Sequence, residues 1–374
     1  MRSRIPASPA SPATPATPAS SATATSSFLL VSVAVGLSTL LPGGVACDDA
    51  IDDDPSGEGE GEGEGEGEGE GEGEGEGEGE GEPATFGSRF IGVGYGGRRL
   101  TTDDGLSWHN DVRDVDRGGD DDRLLRGACV GNFGGETVVL AVGGSRQGRV
   151  MRSVDGGVSW TTPIVDDLGW IGACAFGHDE AGAVVVAFGG SARSAASIDG
   201  GLTFSTVGRQ FVGGAGWGTR DLEFIGDRFV AAGDLGVSTS GDGVTWTVPA
   251  GPGRLSHLTH GNGLTVVIGG GIQASSADFV NWTQSSGGGG DVIFAEGRFL
   301  IVGDGFRQTS TDGVTWTRAG QPPMSRVKFG VVNGQPRYVG ANFPDQRRTS
   351  SDGITWTDTA RDNGNAIDDL IFVP

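Results

Sequence analysis

The sequence predicts an all-β protein assembled from a repeated four-stranded unit, and three observations predict it. First, one phrase recurs: "TTDDGLSW" ends at Trp108, "SVDGGVSW" at Trp160, "SIDGGLTF" at Phe204, "TSGDGVTW" at Trp246, "SSADFVNW" at Trp282, "TSTDGVTW" at Trp316 and "TSSDGITW" at Trp356. The copies lie 52, 44, 42, 36, 34 and 40 residues apart, and a period near 40 marks a repeat architecture. Second, every copy follows a short apolar run ending in a turn, such as "VVLAVGG" or "RFLIVGD", which reads as a strand. Third, the ends are complementary. The folded part opens at "SRFIGVG", a second strand with no first, and closes on "DDLIFVP", a first strand with no second.

The elements follow in order. A short strand such as "DLEFIGD" (Asp221–Asp227) or "DVIFAEG" (Asp291–Gly297) opens each unit. The apolar run is the second strand, the residues before the Asp-Gly turn are the third, and the segment starting at the aromatic is the fourth. Four strands per period near 40 is a propeller blade. The C-terminal strand then completes the first blade and removes the open edges that are a liability of β-proteins. The expected fold is a seven-bladed β-propeller over residues 83–374, with the weak Trp282 unit the one copy on which the count turns.

The N-terminus reads as an address. Residues 1–46 hold two Arg and no acid, and "FLLVSVAVGLSTLL" (Phe28–Leu41) is apolar. That run is shorter than the roughly 20 residues of a spanning helix and suits a signal-peptide core. "PGGVAC" places small residues before Cys47 and resembles a bacterial lipoprotein signal, which implies lipidation of Cys47; Gly44 stands where that signal carries Leu. Residues 47–82 form an acidic tether containing thirteen Gly-Glu repeats. Such a segment buries nothing and its charges repel, so it reads as a disordered spacer. The expected location is the cell envelope, as an exported lipoprotein on the periplasmic or outer surface.

Charge excludes one class of partner. The net charge is −23, of which −18 lies in residues 47–82, leaving −7 for residues 83–374. A mildly acidic domain with a single lysine, Lys328, does not present the basic face that nucleic acid requires.

The repeated phrase resembles the Asp-box, the bacterial neuraminidase repeat of sialidase-like propellers, whose pattern is Ser/Thr-x-Asp-x-Gly-x-Thr/Ser-Trp. Aligned on the aromatic, Asp155 and Asp199 sit at the family position. Asp242, Asp312 and Asp352 fall one place later, and the first copy offers both Asp103 and Asp104. In these turns Asp accepts backbone N–H groups, Gly takes a conformation other residues resist, and Trp packs between sheets. Asp104, Asp155, Asp199, Asp242, Asp312 and Asp352 are therefore read as structural.

The resemblance implies no catalysis by itself. A sialidase would need an Arg triad, a Tyr nucleophile assisted by Glu, and an acid. The one "RIP" lies at Arg4–Pro6 in the leader, and the only Tyr are Tyr95 and Tyr338. The expected function is non-catalytic binding of a protein or glycan, with no cofactor and no metal. "DVDRGGDDDR" (Asp114–Arg123) matches no EF-hand, and His257 and His260 are i, i+3 on a strand. The rivals are a carbohydrate-active enzyme, in which loop acids such as Asp221 meet others, and an assembly factor for an envelope complex, a role similar propellers have in photosystem assembly. Acids with perturbed pKa in the central funnel would favour the enzyme, and an Arg/Trp surface without them would favour binding.

Binding is expected on the face opposite the repeated turns. Trp170 and Trp217 precede first strands there, and Arg recurs after second strands: Arg98, Arg99, Arg146, Arg149, Arg193, Arg307, Arg347 and Arg348. Trp170, Trp217, Arg146, Arg193, Arg307 and Arg347 are the candidate ligand-binding residues. The alternatives are Trp as filler between blades and Arg paired with the Asp-rich loops. Cys129 and Cys174 occupy equivalent first-strand positions, either as a disulfide, which export permits, or as small core residues.

Overall fold

The computed structural model describes residues 86–374 except 166–168, 180–181, 190–193, 207–217, 248–249, 345 and 362–363. The signal segment, Cys47 and the tether lie outside the described residues, as do Trp217 and Arg193. Strands dominate, and the only helical element among the described residues is the three-residue 3-10 turn Tyr95–Gly97.

The fold is an all-β propeller. Its closing sheet pairs the C-terminal strand Ile367–Val373 with Arg89–Gly94, followed by Arg98–Thr102 and His109–Val112. The closing pair is antiparallel, with Phe90 opposite Phe372 and Ile91 opposite Ile371. Three further sheets have four consecutive strands and begin at His257–Gly261, Asp291–Ala295 and Arg326–Val332. The sheets beginning at Leu125–Phe133 and Thr219–Ile225 have three strands, extended by the single bridges Arg152–Thr161 and Val237–Ala250. The sheet beginning at Ile171–Asp179 has five, because Ile164–Val165 joins its edge in parallel to Thr203–Thr206. The uniform four-stranded blade expected from the sequence is thus corrected: after Thr161 the chain abandons its own sheet and adds to the next.

The first strand of each sheet is the inner one. These strands neighbour one another in a closed cycle that returns from Ile367–Val373 to Leu125–Phe133. The core fills the gaps between sheets. Ile91, Val93, Leu125, Val139, Ala141 and Ile371 pack across one such gap, and Phe90, Leu100, Val339 and Leu370 across another. Glycines let the inner strands approach: a Cβ on Gly131, Gly177, Gly261 or Gly330 would lie 2.1–2.3 Å from Phe176, Phe224, Phe294 or Phe372 of the following sheet.

The repeated phrase builds one turn many times. The third strands end at Thr102, Ser153, Ser197, Ser240, Ser276, Ser310 and Ser350, and each hydroxyl donates to the Asp two residues on, at 2.7–3.2 Å. The carboxylate then accepts backbone N–H groups, as Asp312 does from Val314 at 2.9 Å and Thr315 at 2.7 Å. Asp104, not Asp103, serves the first turn. The Ser/Thr-x-Asp spacing is therefore constant, and the one-place offset seen on aligning the aromatics is an added glycine in two turns, at Gly157 (φ 86°) and Gly201 (φ 83°). In the degenerate copy Asp278 keeps the role and Phe279, at φ 61°, replaces glycine. The closing aromatic packs into the sheet interfaces, as Trp160 and Trp246 do.

Candidate functional site at the channel and its mouth

The inner strands bring a charged cluster into the central channel. Three aspartates clasp neighbouring strands. Asp221 accepts from the N–H of Leu222 and from Leu258 of the next inner strand, both at 2.8 Å. Asp291 does the same with Val292 and Val327, and Asp369 with Leu370 and Ala128, all at 2.8 Å. The positions between them hold other groups. His257 Nδ1 lies 3.8 Å from Asp221 and 3.6 Å from Asp291. Arg326 Nε donates to the Asp368 carbonyl at 2.5 Å. Cys129 and Cys174, both buried, form a disulfide between the two inner strands that carry glycine, Gly127 and Gly172, at the Asp position. The inner strands are thus held by more than one device.

Two residues further along the same strands lie Glu223 and Lys328, facing a cavity of about 350 Å³ shared with Asp221, His257, Asp291 and Asp369. Burial penalises ionisation here and outweighs the hydrogen bonds and cations. It raises Asp221 to about 6, against help from the Leu258 N–H, and Asp291 to about 7, against help from Arg326. Burial with Asp221 nearby raises Glu223 to about 8. Burial also opposes the charge on Lys328, but Glu223, Asp369 and Asp291 outweigh it and raise its pKa. Burial, reinforced by Arg326, holds His257 well below its ordinary value, so it is neutral.

The channel opens where the inner strands begin, on the face opposite the repeated turns. A cavity of about 540 Å³ at this mouth is lined by Asp120, Arg126, Trp170, Arg220, Arg326 and Asp368 among others. The half-buried Trp170 ring lies 5.1 Å from the Arg126 guanidinium, which also pairs with Asp120. A neighbouring groove of about 710 Å³ carries Phe306 under Arg318 (3.7 Å), Met324, the glycines 287–290 and Phe343. Phe343 is 58% exposed and sits 5.6 Å from the Tyr95 ring.

The sequence-predicted residues part company. Trp170 lines the mouth. Arg146 is exposed in a loop whose N–H groups converge on Asp122. Arg307 donates to the Gly320 carbonyl at 3.0 Å. Arg347 is a correction as a surface ligand: it is 6% exposed and lies 4.8 Å over Trp108 between sheets. Arg98 pairs with Asp111, Arg99 and Arg149 with Asp114, and Arg348 with Asp358. The recurrent Arg therefore fasten loops to sheets. Among the described residues no group of three His, Cys, Asp or Glu has metal-binding geometry. Tyr338 does meet a glutamate, donating to Glu296 at 2.6 Å. Its ring is buried between sheets, and burial followed by that hydrogen bond pushes its pKa to about 12, the wrong direction for a nucleophile.

Sequence reasoning named Asp221 but missed the cluster. A signal was present: "DLEF", "DVIF", "RVKF" and "DLIF" repeat one pattern on four inner strands, and the lone lysine sits inside it.

No protein-family model matches the chain, and no curated protein matches it. Solved structures are similar in fold. "YCF48 bound to D1 peptide" superimposes with a TM-score of 0.50 at 13% identity, covering 74% of this chain and 87% of that one. YCF48 from Cyanidioschyzon merolae gives 0.47 at 14% identity, covering 65% and 86%. PorZ, a surface component of the type-IX secretion system of Porphyromonas gingivalis, gives 0.44 at 11% identity, covering 63% and 32%. The chain shares the propeller fold of the first of these.

Proposed function

We propose that this chain is a non-catalytic binding propeller that takes a protein or peptide ligand at the channel mouth. The observation that carries the reading is the mouth itself. A half-buried aromatic under a guanidinium (Trp170, Arg126) and the exposed Phe343 against a half-buried Tyr95 lie beside two cavities on one face. Aromatic and Arg side chains of this kind anchor protein interfaces. The fold-level neighbour, YCF48 bound to D1 peptide, supports a peptide ligand by analogy. A glycan on the same aromatics is the other form of this reading. The closed cycle of inner strands supports a count of seven blades, and the constant Ser/Thr-x-Asp turns support an Asp-box relationship. The sequence supports an exported, Cys47-anchored envelope protein, in which an assembly role is a specific case of binding.

A second reading has its own observation. Asp221, Asp291 and Glu223 share one cavity with pKa values of about 6, 7 and 8, which is the tuning a proton-transfer catalyst uses. Two of the three are occupied in clasping inner strands, so the binding reading is preferred. The test uses the full chain for capture from an envelope extract and on a glycan array, beside Trp170→Ala/Phe343→Ser and Glu223→Gln. Capture lost in the first variant and kept in the second supports binding at the mouth. Glycoside hydrolysis abolished by Glu223→Gln would replace it with the enzyme.

A further inference from the structure

The face opposite the mouth repeats a second feature that the turn chemistry does not require. The residue two places after each capping Asp, or three in the turns with an added glycine, is aliphatic in every copy. Leu106, Val158, Leu202, Val280, Val314 and Ile354 are 41–67% exposed, and Val244 is half-buried. All stand on turns that follow third strands, so they share one face of the ring. Scattered exposed apolar residues need no explanation, but a set repeated on one face does.

The backbone beneath them is prepared for a dry contact. The N–H of each of these residues is held by the capping Asp of its turn, at 2.7–3.0 Å. A tip so fixed leaves no orphaned donor when water is removed, and its direction is set before contact. The tips stand apart, one per blade, around a rim. That arrangement suits a flat apolar surface and not a groove-filling peptide.

The described chain also begins on this face. Phe86 lies against the turn at Gly156, where an added Cβ would come within 2.8 Å of its ring. Arg89 pairs with Asp103 beside the first turn and stands opposite Val373 at the end of an inner strand. The sequence ahead of Phe86 contains the apolar run Phe28–Leu41 and Cys47.

We propose that this aliphatic rim rests on a lipid bilayer, with the tips entering the headgroup–acyl boundary and the channel mouth turned away from the membrane. The proposal rests on the membrane-tethered reading. The tether supplies the local concentration, and the rim supplies orientation through buried apolar area. Because the contact is apolar, it needs no anionic lipid and withstands salt.

The test places the full chain on phosphatidylcholine vesicles containing a lipid with a photoactivatable acyl chain, followed by mapping of crosslinked peptides. The expected result is crosslinking of the turn peptides, unchanged in high salt, with none around Trp170 and Phe343. A Val158→Ser/Leu202→Ser/Val314→Ser/Ile354→Ser variant should fold with an unchanged Tm, stay on the vesicles and lose the turn crosslinks. Vesicle capture with crosslinks confined to the segment at Cys47 would keep the tether and overturn the rim. Crosslinks at Trp170 and Phe343, or concentration-dependent dimers replacing lipid contact, would overturn the rim as well. No capture at all would overturn both.

Discussion

The turn face and the channel solve the same problem in contrasting ways. On the turn face one device serves every blade: a hydroxyl, an Asp two residues on, and two backbone N–H groups. In the channel, adjoining inner strands are fastened by Asp clasps, an Arg, a His between two Asp, and a disulfide. Repetition is affordable where each turn is local and solvated. In the channel the strands converge, so identical acids in every blade would repel one another across a small buried volume. Alternation of Asp with His, Arg, Gly and Cys avoids this, and it leaves Lys328 to balance Glu223. The turns therefore define the fold, and the channel makes this ring particular.

The largest expected effect breaks the channel. Lys328→Met strands carboxylates whose charge it offsets, and losing one partner of a buried pair costs about 3–5 kcal/mol. That loss is expected near pH 9, where Glu223 is ionised. Near pH 5 Asp221, Asp291 and Glu223 are protonated and the loss should be much smaller. Equal destabilisation at both pH values, measured by urea unfolding, would refute the charge account.

Next is the disulfide. Cys129→Ser/Cys174→Ser opens a link between residues 45 apart, and removal should cost about 2–4 kcal/mol. Guanidinium unfolding with and without reductant checks it, since reductant should lower the parent and leave the variant unmoved.

A turn cap ranks below these. Asp155 accepts from Val158 and Ser159 N–H groups and from two hydroxyls. Asp155→Ala should cost about 1–2 kcal/mol, seen as a lower Tm with the same binding.

The pH dependence sharpens the same contrast. Raised folded-state pKa values at Asp221, Asp291 and Glu223 give stability that is present at acid pH and lost as pH rises through about 6 to 8. The turn aspartates shift the other way. Asp312 and Asp278 are held well below the ordinary range by backbone hydrogen bonds, so their contribution is lost as pH falls below the ordinary carboxylate range. His257, depressed, opposes the channel acids below its ordinary pKa. Three acids against one histidine put the expected Tm maximum on the acid side of neutrality, and Glu223→Gln should flatten the alkaline fall. A Tm that rises between about pH 6 and pH 8 would contradict this.

Much of the fold was legible because the repeated turn is contiguous in sequence. The ring closure was readable too, because a missing first strand and a spare one lie at the two ends. The strand counts were not: nothing in residues 161–165 announces that the chain will join the next sheet. The turn register was misjudged by anchoring on the aromatic, when the Ser/Thr-x-Asp pair is what geometry fixes. The candidate site was the least legible part. Its residues come one or two from each inner strand, and recurrent Arg such as Arg347 looked like surface because sequence does not show the Trp108 ring above it. The placement of Cys129 and Cys174 was visible, whereas their bonding depended on the approach of two strands.

The most direct test of the central claim is a titration of a captured peptide into the full chain, Trp170→Ala and Glu223→Gln. The account predicts at least about tenfold weaker binding for Trp170→Ala, the loss of one aromatic anchor, and unchanged affinity for Glu223→Gln. Unchanged affinity for Trp170→Ala, with loss on Glu223→Gln, would move the site into the channel and contradict the account.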